Sequence, residues 1–182
     1  IISSSKIDNE QVQPASLDLS LGNKAWRVKS SFLPGTKNKV TDKISRLAMH
    51  EIDLKNGAVL EKGCVYIAEI SEFLNLQSDV SASANPKSST GRLDIFTRLI
   101  SDYANEFENV KLGYNGPLYI EISPRTFSIL VKSGTRLNQI RFRRGNYLLN
   151  DEETKNLHEK VNLVSGYENS LDIRNGIPLS ID

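Results

Sequence analysis

Apolar and polar residues alternate in short stretches along most of the chain. Leu17, Leu19 and Leu21 alternate with Asp18 and Ser20, the pattern of a half-buried strand, and Gly22 ends it. Ala25 to Val28 is expected as its partner across a turn at Gly22-Asn23. Residues 30–43 are polar, carry Pro34-Gly35, and read as a loop. Ala58 to Leu60 and Cys64 to Ile70 predict strands around the turn at Lys62-Gly63, and Val80 to Ala84 predicts another. Leu93, Phe96, Leu99, Ile100 and Tyr103 recur at three-to-four spacing, which predicts a helix or a mixed segment. Leu118 to Ile122 alternates again between Gly116-Pro117 and Pro124. Phe127 to Val131 and Gln139 to Phe142 follow around Ser133-Gly134. Many short strands with regular turn signals predict a mainly β domain, a sandwich or barrel.

Residues 150–175 turn polar, with Asp151-Glu152-Glu153 in front, and read as a linker. The expected organisation is one domain over 1–149, then this linker. The pattern Pro14-Ala-Ser-Leu-Asp18 recurs as Pro178-Leu-Ser-Ile-Asp182. A start signal repeated at domain spacing predicts that 176–182 begin a second, similar domain and that the chain is a fragment. Chance recurrence is the other reading.

At 182 residues the chain is long enough to bury one sizeable core without staples. With 23 Lys and Arg against 22 Asp and Glu, the net charge is +1, which does not suit a general nucleic-acid binder. No apolar run approaches the length of a membrane span. A single cysteine, Cys64, excludes an internal disulfide and a cysteine-rich zinc site. A reducing, cytoplasmic setting is expected. The two histidines, His50 and His158, are far apart, so Ser-His-Asp hydrolysis is not expected. The zinc-deaminase signature is missing.

Three segments could carry chemistry. Asn85-Pro-Lys-Ser-Ser-Thr-Gly-Arg92 places hydroxyls and cations at an expected helix start, with Ser88 or Ser89 as N-cap. It reads either as a phosphate site or as a capped surface turn. On the strand Leu118-Tyr-Ile-Glu-Ile122, Tyr119 and Glu121 share one face and the aliphatics the other. Glu121 is either a hemmed-in general base or an exposed residue of an edge strand. Arg136, Gln139 and Arg141 stand on a strand after Ser133-Gly134, and suit either a polyphosphate or water.

In this order, Gln13-Pro-Ala-Ser-Leu-Asp-Leu-Ser-Leu-Gly22, Pro86-Lys-Ser-Ser-Thr-Gly-Arg92, Gly116-Pro-Leu-Tyr-Ile-Glu121 and Gly134-Thr-Arg-Leu-Asn-Gln139 resemble the dCTP deaminase branch of the dUTPase superfamily. The likeness covers about residues 11–145 and is closer to the long, tandem-domain bacterial form. It implies a dUTPase-like distorted β-barrel or sandwich with one or two short helices. It also implies a hydrolase acting on the C–N bond of a cyclic amidine, taking dCTP to dUTP and ammonia.

The resemblance assigns catalysis to Ser88, Arg92 and Glu121. Glu121 acts as general base and then acid, Ser88 orients the water or the amino group, and Arg92 holds the other two. Lys87, Ser88, Ser89, Arg136 and Gln139 would hold the triphosphate, with Lys87 where the common form has Arg. Asp18 has a structural or interface role. Mg²⁺ would sit on the triphosphate, with no protein metal site. A homo-oligomer of trimeric type is implied, with sites at subunit borders; no nucleic-acid or membrane partner is implied.

The stretch from Arg92 to Glu121 is longer than the family pattern leads one to expect, and Glu106, Phe107, Glu108 and Tyr114 fall within it. No Asp stands where dUTP-hydrolysing relatives activate water; Glu108 is the nearest acid. The alternatives are therefore a dUTP pyrophosphatase or a bifunctional enzyme, and a non-catalytic nucleotide-binding half of a tandem protein.

Overall fold

The computed structural model describes residues 2–3, 7, 9–145, 149–165, 173–174 and 176–177. Two compact units divide the chain, Ile1–Arg144 and Gly145–Asp182.

The first unit is mainly β. Its strands are β1 (Ile2–Ser3), β2 (Val12–Gln13), β3 (Ser16–Val28), β4 (Ala48–Asp53), β5 (Ala58–Leu60), β6 (Val65–Asn75), β7 (Val80–Pro86), β8 (Ile95–Ser101), β9 (Asn109–Val110), β10 (Asn115–Pro124), β11 (Ile129–Val131) and β12 (Arg136–Arg144). Two short helices join them, α1 (Val40–Leu47) and α2 (Ser88–Arg92). Ten strands form one sheet whose backbone order is β8-β10-β6-β3-β12-β7-β9, and β11 pairs with β5 in a small second sheet.

The path curls into a barrel because its two ends meet. Among the described residues no ladder joins β8 to β7, and Glu108 bridges them. The Glu108 amide donates to the Leu99 carbonyl of β8 at 3.0 Å, and the Glu108 carbonyl accepts from the Ala84 amide of β7 at 2.8 Å. Leu19, Leu21, Leu74, Leu99, Leu118, Ile120, Ile122 and Ile140 fill the barrel. A second cluster of Val28, Val40, Ile44, Ile67, Ile100 and Tyr119 lies on the outer face of β6, β8 and β10, under α1 and the loop before it.

Three expectations change. Gly22 does not end a strand: β3 runs thirteen residues through it, with a register shift against β6 between Leu21 and Ala25. Glycine is needed there for close approach, since a Cβ would stand 3.0 Å from the Cβ of Glu69. Residues 95–101 are a strand, not a helix. Leu99 packs in the inner cluster and Ile100 in the outer one, and a strand buried on both faces loses its alternation. Residues 40–43, expected as the end of a loop, instead open α1, whereas β5 and β6 do flank Lys62-Gly63, β5 pairing with β11 and β6 with β3 and β10.

In the second unit, α3 (Asp151–Val161) occupies the front of the polar stretch expected as a linker. Asn150 caps it, accepting from the Glu153 amide at 2.8 Å, and Glu153 answers on the Asn150 amide. The recurring Pro-x-Ser-aliphatic-Asp pattern at 178–182 lies outside the described residues.

Candidate functional site

Two groups of side chains stand out, one cationic and polar, one built on a buried carboxylate. The first lies where β12 meets β3 and β7. Gln139 is the register partner of Asp18 on β3 and of Asn85 on β7, so the three share a face. The Gln139 amide oxygen accepts from the Ser16 hydroxyl at 2.8 Å. The Lys87 ammonium binds the carboxylate of Asp18, whose side chain is only 3% exposed. Arg136, half-buried, pairs in register with Ser20 and lies 3.8 Å from Glu10. The structure thus brings Lys87 and Gln139 together, with Asp18 between them.

The α2 turn rises from Lys87. Lys87 itself is the N-cap residue, and no side chain caps the turn, so the expected cap at Ser88 or Ser89 is not used. Thr90 anchors the turn instead: its buried hydroxyl donates to the Leu137 carbonyl of β12 at 2.8 Å. Ser88, Ser89 and Arg92 are exposed. Four residues apart on one helical turn, Ser88 and Arg92 project from the same side.

Glu121 resolves its open question toward burial. β10 is an interior strand between β8 and β6, and the Glu121 side chain is 2% exposed. Its Oε1 accepts from Arg98 Nη2 at 2.7 Å and Nε at 3.2 Å. Arg98 is its register partner on β8. Oε2 is buried with no hydrogen-bond partner among the described residues. The guanidinium also donates to Ser31 at 2.8 Å and lies 3.5 Å from the Phe107 ring centroid. Within the chain it is thus Arg98 that holds Glu121, a residue the sequence did not nominate. Sequence reading missed Arg98 because cross-strand register brings it to Glu121, and no local motif marks it.

Glu108 carries a second carboxyl group whose oxygens are buried. It is a non-glycine residue at φ 63°, fixed by its two bridging backbone bonds. Both carboxyl oxygens are buried and, among the described residues, have no hydrogen-bond partner. Burial pushes its pKa up to about 7, opposed by the Leu99 backbone amide, the Arg98 charge and the Asn138 amide. Asn138 in turn accepts from Thr97 on β8.

A cleft of about 270 Å³ opens between β3, β6 and β10, lined by Gly22, Glu69, Ser71 and Tyr119 among others. No residue nominated from the sequence lines it. Among the described residues no group of three or more His, Cys, Asp or Glu could hold a metal ion, and no helix is long and apolar enough to cross a membrane.

The domain is thus a barrel-like β fold with a cationic, amide-bearing face on β3, β12 and β7, exposed hydroxyls on α2, and a buried carboxylate on β10. Residues 1–146 match the family described as the 2'-deoxycytidine 5'-triphosphate deaminase (DCD) N-terminal domain, and the chain belongs to that family. It is similar to the crystal structure of 2'-deoxycytidine 5'-triphosphate deaminase from Agrobacterium tumefaciens, with TM-score 0.78 and 57% identity over 100% of this chain and 52% of that one. It is 26% identical to a dUMP-forming dCTP deaminase of Beutenbergia cavernae, over 74% of this chain and 67% of the relative. A dCTP deaminase of Haloarcula marismortui is 25% identical over 72% and 66%. The chain spans about half the length of the Agrobacterium protein and about two thirds of the curated relatives it matches.

Proposed function

We propose that this domain deaminates dCTP to dUTP and ammonia, with Glu121 as the proton carrier. The observation that supports this best is the Glu121 carboxylate: one oxygen is fixed by Arg98 and the other is buried without a partner. A carboxylate so held can accept a proton from water at the free oxygen. Water oxygen then bonds to C4 of the cytosine while Glu121 passes the proton to N3. The second water proton, carried the same way, reaches the amino group. The C4–N bond breaks, ammonia leaves, and C4 keeps the oxygen as a carbonyl. Ser88 orients the water or amino group, and Arg92 offsets developing negative charge.

Lys87, Ser88, Ser89, Arg136 and Gln139 serve the triphosphate. These donors suit phosphate oxygens, and Asp18, the acid among them, is engaged by Lys87. Mg²⁺ fits this set as a passenger on the triphosphate, where it would neutralise phosphate charge. The exposed Ser88 and Arg92 suit a site completed by another copy of the chain, as in a trimer-like homo-oligomer.

A second reading, release of dUMP and pyrophosphate, is favoured by the dUMP-forming names of three relatives. Against it, Glu108, the nearest acid in the stretch where such enzymes activate water, turns its oxygens into the barrel seam.

The test is full-length protein with dCTP and Mg²⁺, assayed for ammonia and pyrophosphate together. We expect ammonia without pyrophosphate, and no turnover with retained nucleotide binding in Glu121→Gln. Both products would establish the dUMP-forming reaction. Nucleotide binding with neither product would favour a non-catalytic nucleotide-binding half.

A further inference from the structure

The backbone of Glu108 bridges the barrel seam between β7 and β8, and its side chain carries a buried carboxyl group. Glu108 bridges Ala84 to Leu99 through its main chain. A left-handed conformation is uncommon for a residue with a side chain and persists where its surroundings fix it. The side chain enters the seam beside Asn138 and the Leu99 amide. A carboxyl group left there without a hydrogen-bond partner is costly, far more so when charged.

The two strands of the seam flank the α2 turn of the proposed site. β7 leads into α2 with Ser88 and Arg92, and α2 leads into β8 with Arg98. The residue before Glu108, Phe107, lies against the Arg98 guanidinium that holds Glu121. On the reading that the domain is a dCTP deaminase, we propose that Glu108 is a positioning residue: by latching the β7–β8 seam it keeps the α2 turn and the Arg98–Glu121 pair in their working arrangement.

The backbone bonds of the latch do not depend on protonation; the side chain acts through Arg98 and leaves it undisturbed while protonated. Among the described residues, the charge acting on it is Arg98, from β8; β12 supplies Asn138, an amide, and β7 supplies Ala84. Once ionised, Glu108 competes with Glu121 for Arg98. Two carboxylates sharing one guanidinium loosen the pair that orients Glu121. Turnover then falls on the alkaline side although Glu108 touches no substrate.

The experiment is a kcat and KM profile for dCTP from about pH 5.5 to about pH 9, for the full-length protein and Glu108→Gln. Wild-type kcat is expected to fall about tenfold per pH unit above roughly 7, with KM little changed. Glu108→Gln, neutral at every pH, is expected to lack that fall and to exceed wild type at the alkaline end. A wild-type profile without a break near 7 overturns the latch, and so does a break that persists in Glu108→Gln. Absence of ammonia from wild type at every pH overturns the deaminase reading and the latch with it. Should Glu108→Gln not fold, carbon-13 titration of the Glu108 carboxyl in wild type decides: a midpoint near that of kcat supports the latch, and a midpoint in the ordinary carboxylate range overturns it.

Discussion

Arg98 and Glu121 face each other across the β8–β10 ladder, and one guanidinium reaches one carboxylate oxygen through two nitrogens, at 2.7 and 3.2 Å. The pair is asymmetric in its surroundings, because the Arg98 side chain is 28% exposed and Glu121 only 2%. Losing the arginine therefore strands a charge that water cannot reach. Arg98→Met is expected to cost about 3 kcal/mol of stability, as breaking a buried pair does. The double variant Arg98→Met with Glu121→Gln is expected to cost less than the sum of the two singles. Urea unfolding of the four proteins checks this; additive losses would mean that the pair does not couple.

The proposed triphosphate role of Lys87 can be separated from its ion pair with Asp18. The lysine neutralises Asp18 beneath it and offers a cation beside α2. Lys87→Ala is expected to raise KM for dCTP about tenfold, the value of one charge-assisted hydrogen bond, and to lower stability. Adding Asp18→Asn should restore stability and leave KM high. Recovery of both would mean that the lysine serves only its aspartate.

Gly116 owes its identity to Tyr114. A Cβ at 116 would stand 2.6 Å from the tyrosine hydroxyl. That hydroxyl donates to the Pro117 carbonyl at 2.6 Å and accepts from the Asp102 amide at 3.0 Å, so it is not free to move. Gly116→Ala is expected to cost about 2 kcal/mol, and less when Tyr114→Phe has already removed the oxygen. Thermal unfolding of the single and double variants measures the difference.

Glu108 leaves a signature in stability as well as in turnover. Its folded pKa, about 7, lies above the ordinary carboxylate value near 4.5, so the folded protein holds its proton more tightly. Its contribution is fully present below about pH 4.5, declines as pH rises, and is lost above about pH 7. The whole span is worth at most about 3 kcal/mol. Glu108→Gln should flatten this part of the stability profile and be the more stable protein at pH 8. A profile identical to wild type would show that Glu108 titrates normally.

Much of this was legible from residue patterns. The alternation Leu118, Ile120, Ile122 located β10 and placed Glu121 on its other face. Lys87 and Gln139 were nominated together and do meet, around Asp18. The mainly β architecture followed from the turn signals. β8 was not legible, because Leu99 and Ile100 are adjacent and both buried, in different clusters. Helix-like spacing is what such a strand leaves in the sequence. Arg98 was hidden for a related reason: its role depends on register with a strand more than twenty residues away, which no local pattern encodes. Gly22 looked like a turn because a glycine required by a neighbouring strand and one required by a bend are the same letter.

The thirteen residues of β3 have a consequence for how the chain comes to fold. The strand's first half, Leu17 to Ser20, lies against β12, and its second half against β4 and β6. On a ribosome the second half finds its partners within the next fifty residues. The first half must wait until Arg136 to Ile140 emerge, with more than a hundred residues made in between. Until then Leu17 and Leu19 stand on an open edge, and loop closure over that distance is slow. The β3–β12 ladder can thus form only after residues 136–140 have been made, and a chain cut short before Ile140 would present that edge to other chains.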